Sequence, residues 1–185
     1  DGEGRLEIFV AGAWHDYLKW FAYDEVDGAY QENNIPTTLE DIRGANVGDV
    51  DGDGDMDVIA GSFGGSAVVW LENDGDQNFS EHLLTEVCER AYHMEVADLD
   101  QDGDSDIAFA CLNANSVFWL ENDGDTTGAG TADAFTVHVL EGSVNGVKYL
   151  SVGDVNGDEQ LDILVSDMYD SELTYFQNNG AAGFE

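Results

Sequence analysis

Short apolar runs recur along the chain, each bounded by glycine, asparagine or aspartate. In one unit they cover His93–Asp98, Ile107–Leu112, Ser116–Glu121 and Phe135–Leu140. They are rich in valine, isoleucine, phenylalanine and tryptophan, which suit a pleated, half-buried surface. No segment shows the three-to-four spacing of an amphipathic helix, and the chain holds a single proline, Pro36. The pattern predicts an all-β protein of short strands.

The runs return as a set. "VGDVDGDGDMDVIAGS" from Val47 recurs as "VADLDQDGDSDIAFAC" from Val96 and as "VGDVNGDEQLDILVSD" from Val152. "VVWLENDGD" from Val68 recurs as "VFWLENDGD" from Val117 and, altered, as "LTYFQNNGA" from Leu173. "NFSEHLLTE" is echoed by "AFTVHVLEG", with His82 and His138 each three residues after a phenylalanine. Four strands in a unit of about 50 residues predict the blades of a β-propeller; solenoid coils are shorter and more uniform. The N-terminal "DGEGRLEIFVAG" aligns with the segment starting at Asp51, so the first unit is entered inside a loop. The repeats fall at about 1–48, 49–97, 98–153 and 154–185, giving roughly four blades with the outer two incomplete. Such an array is expected to be part of a larger ring, or to have its open blades completed by neighbouring copies. The repeated aromatic at Trp20, Trp70, Trp119 and Tyr175 is expected to pack blade against blade.

Composition changes this picture in one respect. Five basic residues stand against 40 acidic ones, a net charge of −35. Such a surface repels nucleic acid and anionic lipid. No apolar run approaches the roughly 18 residues needed to cross a membrane, so direct insertion is not expected. With 43% hydrophobic residues, the chain has the material for a core despite its charge. So few lysines beside so many aspartates suit a marine or halophilic source.

Much of the acid is concentrated in three aligned loops. Asp49, Asp51, Asp53 and Asp57 match Asp98, Asp100, Asp102 and Asp106, then Asp154, Asn156, Asp158 and Asp162. Oxygen side chains therefore recur at positions one, three, five and nine. Position seven (Asp55, Asp104, Gln160) adds a backbone carbonyl. Carboxylates so crowded repel one another unless a cation sits among them. Hard cations such as Ca²⁺ take six to eight oxygen ligands, and no histidine or cysteine recurs in the loops to favour zinc or copper. An EF-hand needs a glutamate at position twelve, where Ala60, Phe109 and Val165 stand, and a helix where a strand follows. The first loop keeps only Asp1, Glu3 and Glu7, so its claim on a metal is weaker.

These D-x-D-x-D-G-x-x-D loops, with the "WLENDGD" and F-x-x-H segments, resemble FG-GAP/VCBS repeats, the calcium-bearing blades of integrin α-subunit heads and of secreted microbial proteins. The resemblance covers essentially the whole chain. It implies a seven-bladed ring, bound Ca²⁺, an extracellular or cell-surface setting, and an adhesion or ligand-binding role toward a protein or glycan. A subunit of a surface filament or layer, and a carbohydrate-active lyase or dehydratase on the same scaffold, are the other roles it leaves open. The third loop departs from the pattern at Glu159 and Gln160.

If the carboxylate loops join strands one and two on one face, the two-to-three and four-to-one connections share the opposite face. Arg43, Arg90 and Lys148 each fall six to eight residues before a carboxylate loop, and so on that face. Tyr92, His93, Trp14, His15 and Tyr169 are expected beside them, with Phe63, Asn113, Asn115 and Met168. Aromatic, amide and cationic groups on a propeller face can hold a saccharide or a protein loop. Cys88, just before strand one, and Cys111, ending strand two, are close enough in this topology to form a disulfide, or to remain buried thiols. No nucleophile elbow, histidine pair or phosphate loop appears, so an enzyme is not expected.

Overall fold

The computed structural model describes residues 7–12, 17–124, 134–140, 144–169, 171–180 and 183–185. Trp14, His15, Asp1 and Glu3 lie outside them.

Among the described residues, fourteen strands form four antiparallel sheets, each a consecutive piece of chain. The first sheet holds β1 (Glu7–Gly12), β2 (Tyr17–Asp24) and β3 (Ala29–Ile35). The second holds β4 (Ile42–Gly48), β5 (Asp57–Ser62), β6 (Val68–Asn73) and β7 (Phe79–Thr85). The third holds β8 (Ala91–Ala97), β9 (Asp106–Cys111), β10 (Ser116–Asn122) and β11 (Phe135–Leu140). The last holds β12 (Val147–Gly153), β13 (Asp162–Asp167) and β14 (Leu173–Phe176). Strands follow one another across each sheet in chain order, the meander of a propeller blade. The first strands of successive blades, β4, β8 and β12, adjoin one another and mark the inner side of the array. The repeat frame opens at the carboxylate loops, whereas each complete sheet opens one strand earlier.

Strand composition follows position in the blade. β5 and β9 are buried at every residue, because each is covered on both faces by neighbouring blades. The outermost strand β11 is exposed or half-buried along most of its length. The core lies between the blades in three layers. Leu18, Trp20, Val58 and Leu71 fill the layer between the first and second blades. Val50, Ile59, Trp70, Phe109 and Phe118 fill the next, and Leu99, Trp119, Ile163 and Phe176 the last. Phe109 and Phe118 stack there with centroids 5.2 Å apart.

Trp20, Trp70 and Trp119 are buried as the repeat requires. Tyr175, at the fourth position, is 37% exposed. Its hydroxyl favours a polar partner and donates to Asp162 at 3.0 Å, so the ring leaves the layer for the loop. On β7 and β11, His82 and His138 lie opposite Trp70 and Trp119 in register. Each histidine packs on its tryptophan and hydrogen-bonds a glutamate of the adjacent strand, Glu72 or Glu121.

Candidate metal loops and the opposite face

Each carboxylate loop is the turn from strand one to strand two, and the same hydrogen bonds shape the two central ones. Asp49 accepts the Gly54 N–H at 3.1 Å, and Asp98 accepts that of Gly103 at 3.2 Å. Asp51 accepts from Asp53 N, and Asp53 from Asp55 N; Asp100 and Asp102 do the same in the next blade. Gly54 and Gly103 have φ of 97° and 106°, a region costly to any residue with a Cβ. The turn thereby brings alternate carboxylates together. Asp49, Asp51 and Asp57 each offer an oxygen within 4.8 Å of the others, as do Asp98, Asp100 and Asp102. Among the described residues, these are the two places where three such groups converge. Asp49 Oδ1 and Asp98 Oδ1 are buried and accept no hydrogen bond. The side chains of Asp55 and Asp104 turn away from the cage and lie against Gly75 and Gly124 of the strand-three-to-four turn. At position seven only the backbone carbonyl is left for the cage.

Asp57 and Asp106 close the loops at position nine and are fully buried. Asp57 accepts the N–H of Val50 at 3.0 Å and of Asn73 at 2.8 Å; Asp106 accepts those of Leu99 at 2.9 Å and Asn122 at 2.8 Å. Burial pushes the Asp57 carboxyl up to about 7 and that of Asp106 up to about 6, against the downward pull of those N–H groups. The Trp70 and Trp119 indoles pull weakly the same way, although neither N–H has a partner at hydrogen-bond length. Asp51 and Asp100 are also raised, first by burial and then by neighbouring carboxylates, including Glu72 and Glu121 respectively. These loops carry more negative charge than their own hydrogen bonds offset.

An asparagine at the end of strand three or just beyond it ties its loop to the surroundings, a role that its place before Asp-Gly (Asn122) or Asn-Gly (Asn178) does not reveal. Asn122 Nδ2 donates to Ser105 O in its own loop at 3.2 Å and to Val50 O of the preceding blade at 3.0 Å. Asn178 Nδ2 donates likewise to Leu161 O at 3.0 Å and to Leu99 O at 2.6 Å.

The third loop is organised differently. Both Asp154 oxygens accept backbone N–H groups, from Gly157, Asp158 and Glu159. Asn156 Nδ2 donates to Asp158 Oδ2 at 2.8 Å, and Gln160 turns to Gln101 of the neighbouring loop. Burial raises the Asp162 carboxyl, but the N–H groups of Asn178 and Val155 and the Tyr175 hydroxyl outweigh it and hold the group below its ordinary value. Of the weaker first set, Glu7 stands at the start of β1 at the place Asp57 takes in β5.

On the opposite face, three cations rest on aromatic rings; only Arg90 lies in a connection between blades, whereas Arg43 and Lys148 are the second residues of the strands β4 and β12, which start earlier than the sequence pattern predicts. Arg43 and Arg90 both lie over Phe63, with guanidinium-to-centroid distances of 4.3 and 5.1 Å. Phe63 meets Tyr92 edge-on at 5.7 Å, Tyr92 meets Tyr149 at 5.6 Å, and His93 meets Tyr149 at 5.6 Å. Lys148 Nζ sits 4.4 Å from the Tyr92 centroid. A hydrogen bond with Tyr92 leads in raising its pKa. Arg43 also pairs with Asp41 at 3.1 Å. Among the described residues, neither Arg90 nor Lys148 forms an ion pair. Asn113 binds Glu89 and flanks a depression of about 370 Å³ beside Arg90 and Phe63. Asn115 accepts the Gly146 N–H. Tyr169 packs on Gly146. Tyr149, the residue that links Tyr92 to His93, carried no repeat signal to single it out. Cys88 and Cys111 are joined in a disulfide with Cα atoms 5.5 Å apart, pinning the segment that ends at Arg90 to the end of β9.

Consecutive antiparallel meanders of three or four strands among the described residues, packed face to face, with acidic turns between the first and second strands of the second, third and fourth sheets, define an array of β-propeller blades. The chain belongs to the FG-GAP-like repeat family, whose model matches residues 1–60, 49–109 and 98–165. Repeats of this family commonly bind calcium and typically occur in extracellular domains. No curated protein matches the chain significantly.

Proposed function

We propose that the protein is an extracellular, calcium-stabilised ligand-binding module that offers its cation–aromatic face to an acidic saccharide. The observation that carries this reading is the seating of Arg90 and Lys148. In a chain of net charge −35, both rest on aromatic rings and make no ion pair among the described residues. Cations held this way remain able to take a ligand carboxylate or sulfate, while Phe63, Tyr92 and Tyr149 offer edges and faces to a sugar ring. The opposite face is left to structure. The oxygen-only donor sets around Asp49 and Asp98, each with a buried oxygen lacking a partner, fit a hard cation, and Ca²⁺ neutralises the charge that holds those loops apart. An oxidising, calcium-rich exterior suits both the disulfide and these loops.

Isothermal titration of the calcium-loaded protein with a uronic-acid oligosaccharide and a neutral one of equal length tests this. Saturable binding of the acidic sugar alone, weakened about tenfold or more by Arg90→Ala or Lys148→Ala, is expected from the loss of a charged contact. Equal binding of both sugars, or no effect of either substitution, overturns the proposal.

A further inference from the structure

The residue just before strand one is left-handed in three successive blades. Asp41, Arg90 and Gly146 have φ of 50°, 68° and 79°. Each carbonyl accepts the N–H of the residue just after strand two: Phe63 at 2.8 Å, Leu112 at 3.2 Å and Met168 at 3.2 Å. Glycine takes this conformation freely and aspartate tolerates it, but for arginine it is strained. At Arg90 several restraints hold the strain in place. Its own N–H donates to Gly65 O of the preceding blade at 3.4 Å, and its carbonyl is tied to Leu112. Two residues earlier, Cys88 is bonded to Cys111 at the end of β9. Backbone strain that its surroundings enforce clusters at ligand-binding positions.

The strand that follows adds a second observation. In β4, β8 and β12 the pairing register shifts between Ile42 and Gly44, Ala91 and His93, and Val147 and Tyr149. Arg43, Tyr92 and Lys148 are the extra residues, and a bulge re-aims the side chain it carries. Those side chains build the cation–aromatic row, with Arg43 over Phe63 and Lys148 over Tyr92. Arg90 shares the Phe63 ring with Arg43. The depression of about 370 Å³ beside it is also bordered by Asp41, Glu89 and Asn113. Both acids there are engaged, Asp41 with Arg43 at 3.1 Å and Glu89 with Asn113 at 3.1 Å. Arg90 is exposed and makes no ion pair among the described residues.

We propose that Arg90 is the specificity-determining residue of this face, taking the carboxylate of one uronic-acid residue seated in the depression against Phe63, and that the Cys88–Cys111 disulfide is the positioning element that keeps its backbone left-handed. The planar guanidinium matches a carboxylate with two parallel hydrogen bonds, which glycine or aspartate at this place could not supply. That chemistry accounts for a strained arginine where the neighbouring blades carry residues suited to the turn. Release of residue 90 into an ordinary conformation moves the guanidinium off Phe63 and away from the depression. The inference rests on the saccharide reading of this face and assigns its acid-reading subsite.

The calcium-loaded protein is titrated calorimetrically with the uronic-acid oligosaccharide, and its variants are melted in parallel. Arg90→Gly keeps the turn and removes the guanidinium, so uronide binding is expected to weaken about tenfold or more. Arg90→Lys keeps the charge without the fork and is expected to fall between the two. The double change Cys88→Ser and Cys111→Ser is expected to weaken uronide binding about tenfold in the parent, but to cost no further affinity in an Arg90→Gly background, because both act through one residue. Arg90→Gly is expected to melt about 2–4 °C above Arg90→Ala, which keeps the strained Cβ. Uronide binding with additive losses from the two changes, or glycine and alanine variants that melt alike, overturns this proposal alone. Absence of uronide binding by the parent overturns the saccharide reading and this proposal with it.

Discussion

Replacing Asn122 with alanine removes the tie between two blades without touching a carboxylate. The side chain is buried and donates to two carbonyls. One belongs to Val50, which lies inside the layer between the blades; the other belongs to Ser105, which is half-buried. Leaving a buried carbonyl without a partner costs about 1–3 kcal/mol, so the loss is about 2–4 kcal/mol if water reaches neither fully. At 2–4 °C per kcal/mol for a chain of this size, the melting temperature falls by about 4–16 °C. Asn73→Ala is the internal control. It loses a single amide donation, to the carbonyl of the exposed Met56, where water can substitute, so its cost is about 1 kcal/mol or less. Urea unfolding of both variants in millimolar calcium measures the difference. Equal destabilisation by the two, or a negligible effect of Asn122→Ala, refutes the assignment of this residue as a bond between blades.

Other expectations follow from the same geometry. In chelator-stripped protein, the folded state keeps protons on Asp57 to about pH 7 and on Asp106 to about pH 6, whereas their ordinary value is 3.8. The folded state therefore binds more protons across that window, and urea midpoints fall as pH rises from 4 to 7; excess calcium, which takes the ionised carboxylates, flattens the slope. Removing the Cys88–Cys111 bond by a double change to serine frees a closed loop with a sequence separation of 23 residues. It lowers stability by about 3 kcal/mol in unfolding measurements made without reductant. Gly124→Ala is costlier in the same assay than Gly52→Ala. Both have positive φ, but only at Gly124 would the methyl group also meet a side chain, that of Asp104.

The repeat pattern made the strands legible because each position in a blade has its own environment. Strands two and three are covered on both faces, so β9 and β10 read as continuous apolar runs. The predicted Phe135–Leu140 coincides with β11. The convergence of carboxylates was legible because alternate residues of a tight turn share one side, although the groups that meet are positions one, three and nine in one central loop and one, three and five in the other. The charge pattern also brought out Arg43, Arg90 and Lys148, since residues at or just before the start of strand one fall at the same end of each blade, although Arg43 and Lys148 belong to β4 and β12 themselves and not to the connections. What the spacing could not disclose were bonds made across blades. Asn122 reads as part of an ordinary turn, and its partner Val50 lies 72 residues earlier. Tyr175 occupies a tryptophan position, and only its hydroxyl, which finds Asp162, moves it out of the core. Tyr149 joins the aromatic row through rings contributed by β8, a contact that no local pattern encodes.

The claim on which the account rests is that the two central loops are calcium sites that hold the blades in shape. Its most direct test is calorimetric titration of chelator-stripped protein with Ca²⁺, repeated on Asp49→Asn and Asp98→Asn. At least two sites filling by millimolar calcium are expected, with one lost in each variant and a melting temperature that rises as they fill. Absence of calcium binding at millimolar concentration, or a stoichiometry unchanged by both substitutions, would contradict it.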